Sequence, residues 1–205
     1  MVIKSIVPVS YKGMYKIQPE EGSAFYSRNF YLSTIKVEFI EPGTEFTGET
    51  EDELLDSGLC AAVEFKAVQY LARAEQCRFK LLQKLIQKGY EKKYADCALS
   101  YLESVNYLSD ARFSRAWLNG RKINHYEGSS KLISELMSRG ISKEVACAAV
   151  DDFFEENDEL GFCCKAYQKF CKNGKSDEKL IQSLLNSGFS YKMIKEAKEI
   201  VLQTQ

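Results

Sequence analysis

Apolar and polar residues alternate in the same way in three stretches of the chain. KLLQKLIQKGY (80–90), KLISELMSRGI (131–141) and KLIQSLLNSGF (179–189) begin 51 and then 48 residues apart. The spacing of their apolar positions is helical, and the leucines are assigned to the core. Gly89, Gly140 and Gly188 sit at the tenth position of the phrase. Glycine accepts φ > 0 just past a helix end, so each is predicted to be a C′ cap. Nine residues after each glycine comes Ala98, Ala149 or Ala197, and thirteen after it Leu102, Phe153 or Val201. The predicted unit is a helix, a glycine turn and a second helix.

A further amphipathic helix is predicted upstream of each phrase, at 61–75, 110–122 and 158–172. In AAVEFKAVQYLARAE the stripe is Val63, Ala67, Val68, Tyr70 and Leu71. Each repeat then holds three helices in about 50 residues, approximately 58–108, 109–156 and 157–205. One such unit cannot fully bury its own apolar face, and stacked neighbours complete the core. The expected fold is mainly α, with three tandem helix-turn-helix-like repeats in an elongated curved array.

Residues 1–57 read differently, as a β-rich or extended module. IKSIVPVSY, MYKIQPEEG and SAFYSRNFYL are rich in β-branched and aromatic residues, and Glu20-Glu21-Gly22 is a plausible hairpin turn. Pro42-Gly43 is a second turn signal, and helix after Ile35 is an open alternative. From Glu51 the period changes to 3.6.

Charge and cysteine use narrow the function. The net charge of −1 argues against strong autonomous nucleic-acid binding and suits a protein partner. The seven cysteines are odd in number and include no CxxC pair, so reduced, mostly buried thiols are expected. The N-terminus lacks the apolar core of a signal peptide, and no apolar run approaches the ~20 residues of a membrane span. The expected setting is the cytoplasm. His125, the only histidine, is placed in a loop before Gly128, and no second histidine joins it for a zinc site. Neither a nucleophile elbow nor GxxxxGKS is present. The chain is read as a non-enzyme that needs no cofactor and no metal.

Four stretches together resemble the RecX regulators. LARAEQCRFKLLQKLIQKGY (71–90) is similar to the family's L-x-R-x-x-S-x-x-x-L-x-x-K-L-x-x-K-G-F stretch. NYLSDARFSRAWLNGRK (106–122) resembles its G-Y-L-[ND]-D-x-R-F-A signature and the basic helix after it. YEGSSKLISELMSRGIS (126–142) and KLIQSLLNSGFSYKMI resemble the segments that follow. IEPGTEFTGETEDELL looks like the family's pre-helical segment, and the similarity spans about residues 60–201 in order. The chain departs from the pattern at Asn106 (usually Gly), Cys77 (often Ser) and Asn186-Ser187 (usually basic before the third glycine). The acidic DDFFEENDEL (151–160) is a further departure. These put any basic contact by the third repeat in doubt. The resemblance implies a cytosolic modulator of the RecA recombinase, and a monomer is expected. It would clamp the RecA–single-stranded-DNA filament and usually inhibit ATP hydrolysis, coprotease action and strand exchange. Some members also bind single- or double-stranded DNA, and the alternative reading is an autonomous helix-turn-helix-like DNA binder.

The candidate contacts are basic. Arg73, Arg78, Lys80, Lys84 and Lys88 lie in the first repeat, with the three lysines on one helix face. Lys92 and Lys93 follow the cap, and Arg112, Arg115, Arg121, Lys122 and Lys131 come next. They form either a solvated face or a stripe facing phosphates or an acidic partner surface. Arg112 either bridges to an acid or faces a partner. Separation from the acidic segments EDELLD (51–56) and DDFFEENDEL makes the chain dipolar, which suits oriented docking. Ser109-Asp110 are read as a helix N-cap and its first-turn acid. Phe113, Ala116 and Trp117 are read as core.

Overall fold

The structure, a computed structural model, describes residues 1–10, 13–123, 125–172 and 177–203. Tyr11, the last residue of the first β-rich segment, lies outside them. The N-terminal segment forms a three-stranded antiparallel sheet in the order β1 (Ile3–Pro8), β2 (Tyr15–Pro19) and β3 (Phe25–Ser27). Ile6 pairs with Ile17 and Lys16 with Tyr26. Glu20 to Gly22 turn the chain between β2 and β3, as the sequence predicts. In place of a helix after Ile35 there is one 3-10 turn, Val37–Phe39, and another spans Asn29–Tyr31. At Pro42-Gly43 the turn closes with Thr44 N–H donating to the Glu41 carbonyl at 3.1 Å, and Gly43 takes φ +90°.

Nine helices follow among the described residues: α1 (Glu49–Leu71), α2 (Arg78–Gln87), α3 (Lys92–Ser104), α4 (Asp110–Arg121), α5 (Ser129–Met137), α6 (Lys143–Glu156), α7 (Glu159–Lys172), α8 (Asp177–Asn186) and α9 (Tyr191–Gln203). They group in threes, as the repeat predicts. The first helix begins at Glu49, well before the predicted 61. Glu49, Glu51 and Asp52 fill its first turn, where carboxylates meet the positive end of the helix dipole.

The repeated phrase has one structural meaning three times over. Its second and sixth positions, Leu81/Leu85, Leu132/Leu136 and Leu180/Leu184, are all buried. They are four apart, so they stack on one helical face. Each phrase ends in the same double hydrogen bond. Tyr90, Ile141 and Phe189 donate their N–H groups to Leu85, Leu136 and Leu184 at 3.2, 3.3 and 3.3 Å. The glycines donate to Ile86, Met137 and Leu185, each at 2.9 Å, with φ of 91°, 86° and 91°. This is the Schellman closure, which satisfies helix-end carbonyls and requires a left-handed residue. The end of α3 repeats it with Asn106 at φ 58°, where Tyr107 N–H reaches Leu102 at 2.8 Å. The asparagine that departs from the family's glycine thus occupies a left-handed position that asparagine tolerates better than other side chains.

The chain divides into two compact units, Met1–Leu108 and Ser109–Gln205. In the first, the sheet closes over Ile3, Ile17, Val37 and Leu54, while Val63, Ala67, Leu81, Leu85, Leu99 and Leu102 join α1, α2 and α3. In the second, Tyr167, Leu180, Leu184, Phe189, Ile194 and Val201 join α7, α8 and α9. The α4 stripe differs from expectation. Ser114 and Leu118 are buried, Phe113 and Trp117 are half-buried, and Ala116 is exposed. Ser114 can turn inward because its hydroxyl donates to the Asp110 carbonyl at 2.7 Å, leaving no unmet polar group. Trp117 has Arg139 over its ring at 4.7 Å and Arg121 at 5.3 Å. It therefore anchors two guanidiniums at the edge of the core.

Candidate functional site

Helix packing divides the twelve basic candidates by what holds them. Arg78, in the first turn of α2, spans to α3. It pairs with Asp96 at 3.2 Å and Glu103 at 2.5 Å. Its fork is engaged in fastening one helix to another. Lys84 donates to Gln76 at 2.6 Å and lies 5.7 Å from the Tyr70 ring centre. Lys93 pairs with Asp56 at 2.9 Å, and Tyr94 donates to the same carboxylate at 2.6 Å. Those two hydrogen bonds hold Asp56 below the usual carboxylate range.

The α4–α5 candidates form a second group. Arg121 reaches Glu127 through two nitrogens at 2.6 and 3.0 Å, and Lys131 reaches it at 2.9 Å. Burial alone would push Glu127 up, but the two cations hold its carboxyl below the ordinary value. Arg121 and Lys131 are therefore spent largely on keeping one buried carboxylate ionised. Arg115 lies 3.7 Å from Asp152 with both side chains well exposed, a pairing worth little in water. Lys122 is 3.5 Å from Asn157. Arg112 is half-buried, and its N–H donates to the Ser109 hydroxyl at 3.3 Å, the predicted N-cap.

Four further candidates are exposed, and of these Lys80 donates to Gln83 at 3.4 Å and lies 5.6 Å from the Phe79 ring centre. Among the described residues, Arg73, Lys80, Lys88 and Lys92 make no ion pair, and all four are exposed. Lys80 lies in the first turn of α2, Lys88 caps its end, Lys92 opens α3, and Arg73 follows α1. Their charge is available to phosphate or to a carboxylate on another molecule.

Sequence reasoning missed a polar network in the first unit. Arg28, just after β3, pairs with Glu64 of α1 at 2.7 Å with both side chains essentially buried. Tyr31 donates to the other Glu64 oxygen at 2.7 Å, and Arg28 also hydrogen-bonds the Tyr101 hydroxyl of α3. The Arg28 guanidinium lies over the Tyr101 ring at 3.8 Å. Burial pushes the Glu64 carboxyl up, against the pull of Tyr31 and Arg28. Burial also raises the Tyr31 hydroxyl, and Glu64 adds to the shift. The network ties the sheet to α1 and α3, so the N-terminal segment is locked onto the first repeat.

His125 is exposed and outside any helix, and no group of three metal-binding side chains occurs among the described residues. No helix among them is long and apolar enough to cross a membrane. Among the described residues no cysteine is in a disulfide; Cys60, Cys77 and Cys163 are buried and Cys171 is exposed.

Comparison with known proteins gives consistent relatives. No family model matches the chain. It is 31% identical over 153 residues to the regulatory protein RecX of Treponema pallidum (strain Nichols), covering 75% of this chain and 93% of that protein. It is 29% identical over 143 residues to the regulatory protein RecX of Herminiimonas arsenicoxydans, covering 68% and 92%. A crystal structure of a regulatory protein RecX superposes with a TM-score of 0.74 over 97% of this chain and 98% of that one, at 18% identity. RecX from Lactobacillus salivarius superposes at 0.61 over 70% and 96%, also at 18% identity. These two structures share the fold.

Proposed function

We propose, for a chain that belongs to the RecX family of regulatory proteins, that it binds the RecA–single-stranded-DNA filament and inhibits RecA's ATP hydrolysis, coprotease action and strand exchange. The observation that carries this reading is the 31% identity to a RecX protein across 93% of that protein's length. The family is one of regulators rather than enzymes, so the effect is exerted by binding. The protein works in the cytoplasm, as a monomer and without a cofactor.

Arg73, Lys80, Lys88 and Lys92 are the preferred contacts to the filament, because among the described residues none is tied into an ion pair. Long-range attraction between such exposed charges and an anionic filament speeds and orients docking, and it weakens as salt rises. Arg78, Arg121 and Lys131 are assigned structural roles by the carboxylates they hold. Co-sedimentation with RecA filaments tests this division. The Lys88→Glu/Lys92→Glu protein should stay folded and lose most binding. Undiminished binding by that variant would remove these residues from the interface. Binding to DNA without RecA, steeply weakened by salt, would instead support autonomous DNA recognition.

A further inference from the structure

Two helices of the first unit, α1 and α3, lie side by side and run the same way, and their contacts form a ladder. Asp56 of α1 pairs with Lys93 of α3 at 2.9 Å. Two helical turns further along each helix, Glu64 and Tyr101 are both held by Arg28, which donates a hydrogen bond to each. Residues four apart share a helix face, so the rung midway between these two is Cys60 on α1 and Cys97 on α3. The two thiols meet there in a hydrogen bond, Cys60 donating to the Cys97 sulfur. Polar contacts on both sides fix the register of the helices, so the sulfurs are held face to face by the packing.

The two sulfurs are not equivalent. Both line an open cleft of ≈ 570 Å³, but Cys60 is 5% exposed whereas Cys97 is half-buried. The hydrogen bond from Cys60 favours the Cys97 thiolate and holds that thiol below its ordinary value, against the effect of burial. The same bond and burial push the Cys60 thiol up. Oxidants react with the thiolate, and they must reach it. In a reducing compartment, a disulfide of this kind is transient and serves redox sensing or catalysis.

We propose that Cys60 and Cys97 form a reversible, peroxide-responsive pair, in which Cys97 is oxidised first and Cys60 then closes a disulfide between α1 and α3. The Cys97 thiolate gives an electron pair to one oxygen of hydrogen peroxide. The O–O bond breaks, and the hydroxide that leaves takes up the proton Cys97 had released. The product on Cys97 is a sulfenic acid. The Cys60 sulfur then attacks the Cys97 sulfur. The S–S bond forms, the S–O bond breaks, and the departing hydroxide leaves as water with the Cys60 proton. Two thiols are oxidised to one disulfide while one peroxide is reduced to two waters. A small dithiol reverses the bond by exchange.

The test is to treat the folded full chain with hydrogen peroxide, alkylate the remaining thiols in denaturant with N-ethylmaleimide, digest without reductant and map the products by mass spectrometry. The peptides carrying Cys60 and Cys97 should be found joined, and dithiothreitol should separate them. In urea the same cross-link should form about tenfold more slowly, because the helices no longer hold the sulfurs together. Dimedone, which traps sulfenic acids, should label Cys97 in Cys60→Ala and should leave Cys60 unlabelled in Cys97→Ala. The proposal is overturned if Cys60 and Cys97 remain thiols under peroxide, if they pair with other cysteines instead of each other, or if their cross-link forms as fast in urea. Labelling of Cys60 in place of Cys97 would overturn the order of the two steps and with it the proposal.

Discussion

A Cβ placed on Gly188 would lie 2.5 Å from the backbone nitrogen of Lys131, whereas one placed on Gly89 would meet nothing within 4 Å. Both glycines end the same repeated phrase, and both have φ of 91°. Gly188 differs because α8 ends against the start of α5, where Gly128 N–H donates to the Ser187 carbonyl at 2.8 Å. The second and third repeats thus dock backbone to backbone, within the second unit.

The first prediction follows from that contrast. Gly89→Ala should cost about 1–2 kcal/mol, the strain of a left-handed alanine. Gly188→Ala should cost about 1–3 kcal/mol more, because an occupied space must also open. Urea unfolding of the two variants measures the difference. Equal losses would mean that the second and third repeats do not meet as described.

Asn106 gives a prediction of opposite sign. Its φ of 58° makes it a left-handed residue in a position where glycine carries no steric cost. Asn106→Gly should stabilise the protein by up to about 1 kcal/mol, visible as a raised melting temperature. A fall would show that the asparagine side chain matters more than the backbone conformation.

Leu85 and Ile86 are neighbours in sequence with different burial, 0% against 43% exposed. Leu85→Ala should cost about 2–5 kcal/mol by leaving a cavity in the first repeat. Ile86→Ala should cost under about 1 kcal/mol. Similar melting curves for the two variants would refute the assignment of α2's inward face.

Acid sensitivity should report on Glu53. Partial burial would raise its carboxyl, but hydrogen bonds from Thr34 and Ser33 outweigh this and hold it at about 2, against an ordinary 4.5. Between these values the unfolded chain binds the proton and the folded one does not. Glu53 therefore adds stability that is fully present above 4.5 and is lost as pH falls through about 2. Glu53→Gln should be less stable than wild type near pH 6, and the gap should close by pH 2. A gap that does not change with pH would contradict this role.

The repeats were legible in the sequence because their signals are local. Helical spacing, a glycine at each turn and alanine at a fixed offset all fall within a few residues of one another. The cap at Ser109 was legible for the same reason. Side-chain partnerships were not, because they join residues far apart in the chain. Arg28 and Glu64 are 36 residues apart, on different elements, and nothing near Glu64 marks it as buried. The basic stripe shows the same limit. Sequence places Arg78 and Lys88 together as equivalent charges, yet packing gives Arg78 two carboxylates on α3 and leaves Lys88 exposed. The α4 stripe slipped because Ser114, polar by type, can bury its hydroxyl on the Asp110 carbonyl.

The most direct measurement is single-strand-dependent ATP hydrolysis by the cognate RecA, with this protein added from far below equimolar amounts upward. Inhibition of filaments predicts that hydrolysis falls at ratios well under one protein per RecA, since one bound molecule would affect several protomers. Full hydrolysis in the presence of excess protein would contradict it.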